Sequence, residues 1–218
     1  MPGALDPMSR TASAATLRFM LSSILLAAGF SSRMGKPKAL LDWGGEPLVA
    51  YHVRQLREAG ADEVIVVLGH RGDEIQRGMR GYGLECRVML NSRYQMGRAS
   101  SLRLGAKAVS RDAEAIVIAS VDQPRPVDFL RSLVAAYKPE RAGVRPVHNG
   151  HHGHPIVLAG SLREELMAAT EESDGLLAIV RAHASELDEL AVDDDLLGLD
   201  INTPDDYQAA LRRFGFAH

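Results

Sequence analysis

Three cations and two glycines crowd into one loop near the amino end of the chain, Gly29-Phe30-Ser31-Ser32-Arg33-Met34-Gly35-Lys36-Pro37-Lys38. Glycines let a backbone approach a ligand closely, turn amides point at anions, and Arg33, Lys36 and Lys38 offset phosphate charge. The chemistry this combination suits is the holding of a polyphosphate. Two common phosphate patterns do not fit it. Five residues separate Gly29 from Gly35, and Pro37 follows Lys36 where a P-loop has Ser or Thr. The dinucleotide fingerprint G-x-G-x-x-G is also missing.

Further on, Asn91-Ser92-Arg93-Tyr94-Gln95-Met96-Gly97-Arg98-Ala99-Ser100-Ser101-Leu102 offers an amide that both donates and accepts, a glycine for close approach and two hydroxyls. Ser100 is also in place to N-cap a helix, and helix amino termini favour phosphate. Asp122, in Val121-Asp122-Gln123-Pro124, follows an apolar run. A carboxylate at a strand's carboxyl end projects into the ligand crevice of an open α/β sheet, and a hard oxygen there suits Mg²⁺ held jointly with phosphates. Asp-x-Pro equally makes an ordinary turn before a helix. Four histidines fall within His148–His154, but the spacing suits no metal site on one element, and Asn149-Gly150 marks a hairpin turn. Most of them are therefore expected to be solvated.

These residues need a frame. Ile24-Leu25-Leu26-Ala27-Ala28 reads as a buried strand running into the cationic loop. Pro47–Gly60 has helical spacing with Pro in its first turn and Gly at its end, and Glu63–Gly69 is a β-branched strand. The alternation continues through a helix near 73–80, a strand at Cys86–Leu90, a helix over Ser100–Val109, a strand at Ala115–Ser120 and a helix at Val127–Tyr137. Two strands joined at Asn149-Gly150 follow, then helices at Leu162–Thr170 and Leu176–His183, and an acidic stretch over Glu186–Asp206. Strands alternating with helices give a doubly wound α/β domain with right-handed crossovers. Near the carboxyl end, Thr203 with Pro204 and Asp206 forms a carboxylate variant of the capping box.

The first loop, with the strand before it, resembles the signature L-A-A-G-x-S-x-R-M-G-x-x-K of the MobA-like nucleotidyltransferases, most closely their molybdenum-cofactor cytidylyltransferase branch. Further elements carry the same resemblance: N-x-x-x-x-x-G-x-x-x-S-L from Asn91, Gly153-His154-Pro155, and Asp200-Ile201-Asn202-Thr203-Pro204. It covers about residues 24 to 207. It implies a mostly parallel, Rossmann-like nucleotidyltransferase fold with a small β-hairpin insertion, and Mg²⁺-dependent transfer of a nucleoside monophosphate to a phosphorylated acceptor. On this resemblance Leu26, Ala27, Ala28, Gly29, Ser31, Arg33 and Lys38 bind the nucleotide, with Asn91, Gly97, Ser100 and Ser101 against its base and sugar. Arg33, Lys38 and Asp122 are catalytic, Asp122 and Asn202 hold the metal with Asp200 as the fallback ligand, and His154 meets the acceptor.

Ala27-Ala28 before the glycine favours CTP as donor, since the L-A-G-G branch uses GTP, which remains the alternative. The implied acceptor is molybdopterin, with a molybdoenzyme or its chaperone as a protein partner. The branch's G-D-x-G-A-R, however, reads Glu172-Ser173-Asp174-Gly175-Leu176-Leu177-Ala178 here, without the Arg. A sugar, alcohol or lactate-type phosphate is thus a second acceptor class, and an inactive nucleotide-binding accessory module is a reading from another class.

Composition is that of an ordinary globular protein, 46% hydrophobic and 24% charged. A net charge of −3 argues against a nucleic-acid surface, and no window reaches the roughly 18 apolar residues of a membrane span. One cysteine, Cys86, forms no internal disulfide and suits a reducing compartment. Arg10 and Arg18 ahead of the apolar run Phe19–Ala28 superficially have a signal-peptide layout, but cleavage after Ala28 would remove the strand that holds the loop. A disordered extension over 1–21, a single domain over 22–218 and a cytoplasmic location are the expectations.

Overall fold

The computed structural model describes residues 19–192 and 195–216. In chain order its elements are β1 (Leu21–Ala27), α1 (Leu48–Glu58), β2 (Glu63–Leu68), α2 (Gly72–Gly78), β3 (Arg87–Leu90), α3 (Arg98–Ala108), β4 (Ala115–Ser120) and α4 (Val127–Ala135). Then follow β5 (Gly143–His148), β6 (His151–His152), β7 (Ile156–Ala159), α5 (Arg163–Ala168), α6 (Leu176–Ala182), β8 (Leu187–Ala191) and α7 (Pro204–Arg213). The strands make one sheet in the order β3-β2-β1-β4-β7-β5-β6, with β8 against β5. β1 pairs in parallel with β2 on one side and β4 on the other, whereas β7 is antiparallel to both β4 and β5. A doubly wound, mainly parallel α/β sheet is what the alternation of runs implied.

Period-2 alternation inside buried strands feeds two cores. Val64, Val66 and Leu68 of β2 and Ala115, Val117 and Ala119 of β4 face α1, α4 and α7. Ile65 and Val67, with Ile116 and Ile118, face α3, α5 and α6. Gly105 lets α3 lie close to β1: a Cβ there would stand 2.6 Å from Ile24 Cγ2. The expected hairpin is present, with Val147 opposite His152 and Asn149 and Gly150 both at positive φ, 48° and 77°.

Two boundaries differ from expectation. The extension expected over 1–21 falls mostly outside the described residues, but Leu21 opens β1 and Phe19 packs edge-on against Tyr137 with ring centroids 5.1 Å apart. The folded domain therefore starts before residue 22. The acidic stretch after Glu186 contains β8, which runs parallel to β5 with Glu189 opposite Arg145. Asp188 and Glu189 sit side by side between Leu187 and Leu190, and pairing with β5 makes a strand of an acidic segment. Among the described residues no helix is long and apolar enough to cross a membrane.

The capping box forms as expected. Thr203 Oγ1 accepts from Asp206 N at 3.2 Å, and Asp206 Oδ2 accepts from Thr203 N at 2.7 Å and from Asn202 N at 3.0 Å. Thr203→Ala is expected to lower stability by about 1 kcal/mol, the usual worth of a lost N-cap, read as a shift in the urea midpoint at unchanged slope.

Candidate active site

The carboxyl ends of β1 and β4 lie side by side, and Val121 N donates to Leu26 O at 3.0 Å beyond the regular ladder. A third segment joins them where Ile201 N donates to Asp122 O at 2.8 Å. These backbone bonds bring Asp122 and Asn202 together beside the end of β1, and Lys38 reaches both from the loop that follows. Lys38 Nζ donates to Asn202 Oδ1 at 2.9 Å and to Asp122 Oδ2 at 3.3 Å. Lys38 is itself steered by the preceding loop, since its backbone N donates to Ser31 Oγ at 3.1 Å. Ser31 holds the left-handed φ of 51° that this tight loop requires.

A cavity of about 290 Å³ opens over this point, large enough for part of a nucleotide. Leu26, Ala27, Ala28, Gly29, Ser31, Arg33, Lys38, Ser101, Asp122 and Asn202 all line it. Lys36 is exposed and does not. Burial pushes the Asp122 carboxyl up, but the Ser120 hydroxyl, which donates to Oδ1 at 2.6 Å, and the Lys38 ammonium outweigh it and hold the group below the usual carboxylate range. Asp122 is thus an anion at neutral pH. Its oxygen and that of Asn202 meet on one ammonium, so two hard oxygens already converge on a cation, a donor set that fits Mg²⁺ completed by phosphate oxygens. Asp200 is exposed and lines neither this cavity nor the next.

A second cavity of about 460 Å³ adjoins the first, and Leu26, Arg98 and Ser120 line both. His154 lies here. Burial lowers its pKa, as do Arg98 and Arg125, against Asp200 and Asp122. Near neutral pH it is therefore a neutral ring.

Three expected nucleotide residues are placed otherwise. Asn91 is buried, and its Nδ2 donates to Ser100 Oγ and Ser101 Oγ, both at 2.9 Å, while its Oδ1 accepts from Arg93 N at 2.9 Å. The amide braces the loop from below, and Asn91, Gly97 and Ser100 line neither cavity. Gly97, at φ 104°, rather than Ser100, is the N-cap of α3, and Ser100 Oγ donates back to Gly97 O at 2.8 Å.

Other residues the sequence reading passed over hold the site together. Arg98 faces both cavities, and Phe30 stands at the mouth of the first, with ring centroids 5.3 Å from those of His70 and Tyr94. Arg125 is only 2% exposed, and its guanidinium donates to the carbonyls of Pro124, His154 and Leu199 at 2.9, 3.1 and 3.3 Å. One buried cation thereby ties the loops of Asp122, His154 and Asn202. A charged residue amid turn residues gives no sequence signal of such burial.

A crevice at the carboxyl ends of parallel strands, lined by a glycine–cation loop and a metal-type oxygen pair, defines a nucleotidyltransferase. The chain belongs to the MobA-like NTP transferase family, whose domain model matches residues 23–187. It is 24% identical to the molybdenum cofactor cytidylyltransferase of Escherichia coli K12, covering 89% of this chain and 97% of that one. It is 34% identical to the bifunctional IPC transferase and DIPP synthase of Rubrobacter xylanophilus over 52% of this chain, and that match spans 26% of the relative's length. Among solved structures, the Rv0371c protein of Mycobacterium tuberculosis H37Rv superposes with a TM-score of 0.77 at 27% identity, covering 89% of this chain and 98% of that one. A further structure of Rv0371c is a complex with manganese, with a TM-score of 0.71 at 26% identity and coverage of 89% and 98%.

His52, beneath Val121, is 4% exposed, and its Nε2 donates to Val121 O at 3.0 Å. Burial lowers its pKa from 6.5 to about 4. The unfolded chain therefore binds the extra proton below pH 6.5, so this contribution is complete above 6.5 and is lost as pH falls toward 4. Between pH 7 and pH 5 the loss is about 2 kcal/mol. His52→Gln, which keeps an amide donor for Val121 O, is expected to lose that much less stability over the same interval in urea titrations.

Proposed function

We propose that the chain transfers CMP from CTP to a phosphorylated acceptor of molybdopterin type, releasing pyrophosphate, with Mg²⁺ as cofactor. The observation that carries this reading is the meeting of Lys38, Asp122 and Asn202 in the first cavity, which the second adjoins through Leu26, Arg98 and Ser120. The donor lies in the first cavity, with its base toward the Ala27–Gly29 backbone and its phosphates toward Arg33 and Lys38. The acceptor lies in the second, with His154 donating to its phosphate and Arg98 at the seam between the two molecules. An acceptor phosphate oxygen forms a bond to the α-phosphorus as the bond from that phosphorus to the bridging oxygen of pyrophosphate breaks. Mg²⁺, held by Asp122 and Asn202, supplies charge neutralisation when bound. Lys38 is drawn from the carboxylate to the developing negative charge, and no protein nucleophile is needed, since catalysis rests on positioning and fixed charge.

CTP as donor is supported by the Ala28 methyl group at the cavity wall and by the name of the Escherichia coli relative. Molybdopterin as acceptor is supported by that name together with the likeness of Gly153-His154-Pro155. Thermal unfolding with ATP, GTP, CTP and UTP, each with and without Mg²⁺, tests the donor. CTP at 100 times its dissociation constant is expected to add about 2.7 kcal/mol, seen as a rise in Tm of several degrees that needs Mg²⁺. A larger shift with GTP would replace CTP as donor, and no shift with any triphosphate would remove the reading. Pyrophosphate release separates an enzyme from an accessory module, and a panel of phosphorylated acceptors finds the second substrate.

Lys38→Ala is expected to lower kcat about 10²–10³-fold, as loss of one preorganised electrostatic donor does. Pyrophosphate release at saturating CTP reads this directly, and near-normal turnover would reject the role given to Lys38.

A further inference from the structure

The second cavity carries a cation that the transfer reaction does not use. Arg145, on β5, lines this cavity and not the first, so it stands away from the seam where phosphate is transferred. Its side chain is 15% exposed, and only Nη2 is committed, donating to Glu189 Oε1 at 2.9 Å. That oxygen also serves His152, whose Nε2 lies 2.6 Å away. Arg145 Nε is buried with no hydrogen-bond partner, a condition that costs about 1–3 kcal/mol while it lasts. Nη1 likewise has no protein partner among the described residues.

The acidic groups of the cavity are already engaged elsewhere. Glu171 accepts the backbone N–H of Ala99 at the head of α3, and Asp174 pairs with Arg181 at 3.1 Å. Neither offsets Arg145. Leu102, Ile118, Ile156 and Val180 give the same cavity an apolar share of its lining. The pairing of Arg145 with Glu189 across β5 and β8 anchors the guanidinium to the sheet, so it is not a freely moving surface cation.

We propose that Arg145 binds a second anionic group of the acceptor, remote from the phosphate that is transferred. The acceptor this cavity takes has a flat or apolar body with a phosphate at one end and a further anionic group at the other. An oxyanion brought to Arg145 forms charge-assisted hydrogen bonds with a guanidinium that the protein leaves under-used. The proposal rests on the reading that the second cavity holds the acceptor. It adds a specificity residue outside the Gly153-His154-Pro155 element, on a strand the family resemblance did not single out.

Calorimetric titration of the full chain, saturated with Mg²⁺ and a non-hydrolysable CTP analogue, tests it with phenyl phosphate and 4-carboxyphenyl phosphate as probes. Binding of the analogue is measured first, and its failure strikes the donor reading by itself. With wild type, the carboxylate is expected to improve affinity roughly tenfold or more, as a hydrogen bond to a charged group does. With Arg145→Gln that advantage disappears while phenyl phosphate binds as before, and Arg145→Lys restores part of it. Equal affinity of the two probes for wild type overturns the proposal and needs no variant. So does an advantage that survives in Arg145→Gln, or a loss of phenyl phosphate binding together with it.

Discussion

The parallel pairing of β1 with β2 on one edge and β4 on the other is the constraint from which the site follows. The chain leaves the carboxyl end of β1, crosses to build β2 and β3 on one side, and returns to build β4 on the other. Loops leaving β1 and β4 must part, and the space between them is the crevice in which open α/β sheets bind ligands. Two backbone bonds, Val121 N to Leu26 O and Ile201 N to Asp122 O, carry the register past the ends of the strands into the loops. Asp122 and Asn202 are therefore located by main-chain geometry, and Lys38 reaches them from the loop after β1.

Electrostatics then sharpens what the sheet has placed. Asp122 is costly to bury, and Ser120 and Lys38 offset that cost while keeping the carboxyl ionised. Beneath it, His52 is held neutral by burial, and behind it the Arg125 cation is satisfied by carbonyls of three loops. Buried polar groups with their partners in place stiffen a structure, and here they brace the loops that must hold still during transfer. Asn91 belongs to this support, since its amide is spent on Ser100, Ser101 and Arg93 N.

The two cavities divide the labour. The first is lined mainly by the loop after β1 with Asp122 and Asn202, and the second by segments from α3, the hairpin and α6. The second also holds Arg145 and an apolar lining of Leu102, Ile118, Ile156 and Val180.

Much of this was legible in the residues themselves. Period-2 and period-3.6 patterning gave the alternating elements, Thr203, Pro204 and Asp206 wrote their own cap, and Asn149-Gly150 wrote its turn. Each is a local effect, decided by a few neighbours along the chain. β8 escaped because an acidic segment becomes a strand only when β5 lies beside it. Arg98, Arg125 and Arg145 escaped for a related reason: whether an arginine is a solvated charge, a buried tie or a ligand contact depends on what surrounds it. Sequence alone determined the kinds of elements and the glycine–cation loop after β1, because backbone propensity and spacing act at short range. Tertiary structure alone decided that Lys38 reaches Asn202 across 164 positions and that Asn91 turns inward to its serines. Burial and hydrogen-bond partnership are properties of the folded neighbourhood, and no stretch of sequence contains them.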